Sequence, residues 1–77
     1  MLEIMSAGYG AGANWIDVTE LVQRKYAQGV LHFYADNKDY PDPCPHVKKI
    51  LCIVSRIDGG YPKTESTDEN TRVPIIL

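Results

Sequence analysis

The sequence predicts a mainly β fold: a small β-sandwich or barrel-like antiparallel sheet of five or six strands, with one short α-helix over about residues 18–28. Three observations carry this. Residues 50–57, Ile-Leu-Cys-Ile-Val-Ser-Arg-Ile, form the longest apolar run; it is rich in β-branched side chains, opened by Lys48-Lys49 and closed by Asp58-Gly59-Gly60. One window, with Val18, Leu21, Val22 and Tyr26, has apolar residues at helical spacing. The remaining segments are short and separated by glycine, proline, aspartate and asparagine, the punctuation of strands joined by turns.

Taken in order, residues 2–7 alternate loosely and form a first strand. Gly8, Gly10 and Gly12 follow at alternate positions, so residues 8–13 read as a flexible loop able to take positive φ. Trp15 and Ile16 return the chain to the core. Asp17 and Glu20 have capping-box spacing, Thr19 is a rival N-cap, and Gly29 is the natural stop of the helix. Two or three turns of helix do not stand alone, so the apolar stripe must cover one face of the sheet. Residues 30–35 form a second strand, with Leu31 and Phe33 on one face and Val30, His32 and Tyr34 on the other. In residues 36–46, Pro41, Pro43 and Pro45 forbid regular structure and stiffen the loop. Within 50–57, Ile50, Cys52 and Val54 share one face and Leu51, Ile53 and Ile57 the other; both faces need cover, and the strand is central. Residues 61–67 form a more polar strand that Pro62 assigns to an edge. Residues 72–77 form the last strand, with Pro74 at an edge or bulge.

A chain of 77 residues is a single domain, 1–77, and buries only about 60% of its unfolded surface. Hydrophobic content of 44% with 23% charged residues argues against disorder. Eight basic and ten acidic residues are mixed along the chain for a net charge of −2, which leaves no concentrated basic face for nucleic acid. Lys48-Lys49 is the only basic pair beside a strand and reads as solubilising. No run approaches the ~18 apolar residues of a membrane span. Glu3 interrupts the N-terminal apolar stretch, so no transmembrane segment or secretory signal is expected. Two cysteines fall short of a disulfide-held secreted domain, and composition leaves the compartment unknown. Cys52 reads as a small buried hydrophobe, while spacing leaves a Cys44–Cys52 bridge open.

Several constellations invite a chemical reading. A strand, Gly8-x-Gly10-x-x-Ala13, a helix, a strand and then Asp36 mimic a dinucleotide-binding fingerprint. That helix should begin at the glycines, yet residues 14–18 intervene, and the rest of the chain is too short for a doubly wound sheet. Asp36, Asp39 and Asp42, with Asn37, could surround a calcium ion, or with Tyr40 hold a carbohydrate; this loop is the alternative, ligand-binding reading. Its spacing departs from Asp-x-Asp-x-Asp-Gly, and acid-rich turns ordinarily cap backbone amides. Cys44, His46, Cys52 and His32 lack zinc-site spacing, and no base, nucleophile and oxyanion donors converge. No catalytic residue, cofactor or metal is expected. Tyr9, Trp15, Tyr40 and Tyr61 lie in or beside loops, where aromatic side chains often meet partners. Trp15, Tyr40 and Tyr61 are the candidate partner contacts, against a competing core role that is the stronger reading for Trp15.

The order of these residues also resembles a known family. Its parts are Ile4…Ala7-x-Tyr9-Gly10…Ile16-Asp17-Val18-Thr19…Val22, then Asp39-Tyr40-Pro41-Asp42-Pro43, then Lys49-x-Leu51-x-Ile53-Val54…Gly59-Gly60, and finally Val73-Pro74-Ile75. They are similar to the C-terminal domain of unknown function in the DnaJ homologue subfamily C member eleven protein, and in assorted bacterial and eukaryotic proteins. The resemblance covers nearly the whole chain. Cys44-Pro45-His46 stands where the family tends to have glycine, and without a J domain co-chaperone activity does not carry over. The resemblance implies an intracellular β-sandwich-like accessory module, in the animal protein alongside mitochondrial membrane organisation, with no catalytic residue attached. Independently of it, strands apolar on both faces have too little cover in so small a chain. The expectation is therefore a non-enzymatic protein–protein interaction or accessory module that forms a homo-oligomer or docks on a neighbouring domain.

Overall fold

The structure, a computed structural model describing residues 1–77, has six strands and one helix. In chain order these are β1 (Leu2–Ala11), β2 (Asn14–Asp17), α1 (Thr19–Ala27), β3 (His32–Phe33), β4 (Ile50–Ile57), β5 (Lys63–Asp68) and β6 (Ile75–Ile76). A four-stranded antiparallel sheet runs β2-β1-β4-β5, and β3 pairs with β6 as a separate ribbon. The mainly β fold with one short helix is as the sequence predicts. No helix is long and apolar enough to cross a membrane.

The core lies on one side of the main sheet. Ile4, Ala7 and Tyr9 of β1 and Leu51 and Ile53 of β4 meet Val18 and Val22 from the helical segment, Phe33 and Ile75 from the ribbon, and Tyr40 from the proline loop. β4 is central, as its composition requires, but its two faces are treated differently. Leu51 and Ile53 are fully buried, whereas Ile50, Cys52 and Val54 on the opposite face are only partly covered. That corrects the expectation that both faces need a covering layer. Opposite these three residues β1 carries Gly10, Gly8 and Ser6, and the Trp15 ring lies against Gly8, so cover comes from neighbours within the sheet.

The glycine-rich segment is not a loop. Gly8 and Gly10 are strand residues, and only Gly12-Ala13 turns, between the paired Ala11 and Asn14. Gly12 has φ of 55° while Ala13 stays out of the positive region, the pattern of a type II′ hairpin. A Cβ on Gly10 would sit 2.1 Å from the Asn14 carbonyl oxygen and 2.7 Å from the Trp15 Cα. Glycine there lets β2 close on β1.

The helix starts at Thr19, one residue later than predicted, with Val18 at the cap position and no side-chain cap. The Asp17 carboxylate instead accepts from the Thr19 backbone N–H at 2.9 Å and from its hydroxyl. Two helix side chains cover the edge of β1 beyond the end of β2. Thr19 Oγ1 accepts from the Ala7 N–H at 2.9 Å, and Gln23 Nε2 donates to the Ile4 carbonyl at 3.0 Å. At the other end Gly29, at φ 95°, donates to Tyr26 while Val30 donates to Lys25, a Schellman stop. This shortens the strand expected at 30–35 to His32–Phe33, because the Val30 N–H is already used. The strand expected at 72–77 shrinks to Ile75–Ile76, since Pro74 has no N–H to donate.

Candidate functional site

Lys49 departs most from its expected place. Read as a solubilising residue, it is 2% exposed. Its Nζ lies 3.0 Å from Asp42 Oδ1 and 3.4 Å from Glu69 Oε1, and donates to the Cys44 carbonyl at 3.2 Å. Its backbone N–H donates to Glu69 Oε1 at 2.6 Å, and its carbonyl accepts from the Glu69 N–H at 3.1 Å. Burial alone would lower the ammonium pKa, but the bond to Asp42 and the charges of Asp42 and Glu69 outweigh it and hold the value above the ordinary lysine range. The hydrogen bond from Lys49 in turn keeps the Asp42 carboxyl below the usual aspartate range, against an opposing desolvation. Lys49 is a latch tying the proline loop to β4.

The three aspartates proposed for calcium or carbohydrate each have a partner within the chain. Asp42 faces Lys49, Asp39 pairs with Lys25 at 3.5 Å, and Asp36 accepts from the Lys38 N–H at 2.9 Å. No three acidic, histidine or cysteine side chains come together in a group able to hold a metal ion. The two cysteines are free thiols, and burial pushes the Cys52 pKa up, away from the reactive thiolate.

The three candidate aromatic contacts separate. Tyr40 is 3% exposed, so as a partner contact it is corrected: its ring packs on Tyr9 at a centroid distance of 5.0 Å and a tilt of 38°. The Tyr9 hydroxyl donates to Asn37 Oδ1 at 2.6 Å. Burial, with the Asp39 charge adding to it, pushes the Tyr40 phenol up to about 12; burial and the charges of Glu69, Asp36 and Asp42 raise Tyr9 as well. Trp15 is 42% exposed rather than a core plug, and its indole N–H donates to the Gly12 carbonyl at 2.8 Å. It braces the hairpin. Tyr61 is 98% exposed.

Tyr61 leads into the β5 side of the sheet. β5 is an edge strand, as Pro62 signals, and beyond its pairing with β4 no backbone hydrogen bond satisfies the outer edge of residues 63–67. A cleft adjoins each end of it. One, of about 390 Å³, is lined by Leu2, Ile57, Tyr61, Ile76 and Leu77 beside Lys63. The other, of about 460 Å³, lies between β5 and the segment Thr71, Val73, Pro74 and Ile75. With Met1, Ile57, Tyr61, Val73 and Ile76 are the five most exposed large apolar side chains, and these four line one cleft or the other. Pro62 announced the edge, but nothing local announced Val73 and Ile57, which the fold gathers from separate segments. No protein-family model, curated protein or solved structure matches this chain.

Proposed function

We propose that this chain is a non-enzymatic interaction module that self-associates through the β5 side of its sheet. The observation that carries the reading is an unpaired strand edge between two clefts that hold four of the five most exposed large apolar side chains of the fold. An unpaired edge offers a row of donors and acceptors to a further strand, and apolar area gathered beside it gains free energy when water leaves.

Light scattering after gel filtration tests this directly. The mass should rise above that of the 8.6 kDa monomer as protein concentration increases. A mass that stays monomeric up to the highest soluble concentration overturns self-association.

A further inference from the structure

Resting on that self-association, we infer that the second copy adds its own β5 antiparallel to the first, centred on Thr64, with Lys63 of each copy opposite Glu65 of the other. The two-fold axis stands perpendicular to the sheet, and residues directly opposite one another then share a face. Only registers centred on a residue satisfy this, and the three centred on residues 64–66 of β5 can be compared one by one. Centring on Glu65 sets two glutamates against each other. Centring on Ser66 sends Lys63 toward Glu69, which already serves Lys49. Centring on Thr64 pairs Lys63 with Glu65 twice, on the face that both already occupy opposite Ser55 and Ile53.

The same register accounts for Tyr61. Two residues before Lys63, it comes alongside Thr67 of the second copy, on the same face. Thr67 donates to the Val73 carbonyl and lies beside Thr71, so Tyr61 enters the cleft of about 460 Å³ and covers Val73. By symmetry this happens at both ends.

Charged side chains and a proline are also the means by which proteins keep sheet edges apart. A guard of one sign repels in every register, however. Here Lys63 and Glu65 lie 3.6 Å apart within one copy, and in the dimer the four charges alternate about the axis. They select one register and penalise its neighbour.

Charge exchange tests the pairing. Lys63→Glu and Glu65→Lys each set like charges against one another at both crossings, and each should weaken dimerisation on the order of tenfold or more. Mixed together, the two variants should regain dimers, as should the double variant Lys63→Glu/Glu65→Lys. The helix pair Arg24→Glu and Glu20→Lys changes net charge identically and should alter nothing. Thermal unfolding checks that each variant is folded. If the wild type dimerises and the β5 variants leave its dissociation constant unchanged, the strand pairing is wrong while self-association stands. If the helix pair reproduces the effect, net charge rather than β5 is responsible and the pairing is again wrong. A wild type that never dimerises removes both.

Discussion

Gly10 and Gly8 occupy adjacent positions on one face of β1, yet space decides differently at each. A Cβ on Gly10 meets backbone atoms of β2, which cannot move without opening the hairpin; on Gly8 it would touch the Trp15 ring at an ordinary 3.5 Å. Gly10→Ala should therefore cost about 1–3 kcal/mol in urea unfolding, and Gly8→Ala should stay within about 0.5 kcal/mol of wild type. Lys49 gives a second prediction at this scale, with a definite sign. Its bond holds the folded Asp42 pKa below the ordinary 3.8, so the stabilisation is present above that pH and is lost as pH falls through the lower, folded value. Lys49→Met leaves two carboxylates facing each other and should be clearly destabilised at pH 7. Its deficit relative to wild type should shrink below about pH 4 in chemical unfolding measured across the acid range.

At the scale of elements, the proline loop is held by two devices, the Lys49 latch and the stacked pair Tyr9–Tyr40 with Asn37. The phenols must stay neutral where they are. Because the folded pKa of Tyr40 is raised from 10.0 to about 12, the stability it contributes is intact below pH 10 and lost as pH climbs through about 12. Tyrosinate absorbance and circular dichroism should show loop release and unfolding together in that window, and Tyr40→Phe should move the alkaline limit upward. The helix is held less by its own cap than by what it touches. Its side chains satisfy the edge of β1, and Gly29 ends it in a Schellman turn.

For the whole molecule, the asymmetry of β4 sets where stability resides. Leu51→Ala or Ile53→Ala opens a cavity in the only core and should cost about 2–5 kcal/mol in denaturant unfolding. Val54→Ala, on the half-covered face, should cost much less, about 1 kcal/mol. Association, by contrast, is proposed at the β5 edge. Tyr61→Ser should leave stability within about 0.5 kcal/mol of wild type while weakening the dimer, read by light scattering on the same samples.

Periodicity and punctuation in the sequence alone determined the β class, the single helix to within a residue of each end, the central place of β4 and the edge place of β5. Those features depend on neighbours a few residues apart. The reading failed at Lys49, Tyr40 and the glycine run, where the deciding atoms come from elsewhere: Glu69 twenty residues on, the Tyr9 ring on another strand, the carbonyl of Asn14 across a hairpin. The clefts flanking β5 belong to the same class, since Ile57, Val73 and Ile76 become neighbours of one strand only once the chain has folded. Local pattern fixes which segments become helix or strand; burial of a charge, or exposure of an oil-like side chain, is decided by the volume that distant segments fill.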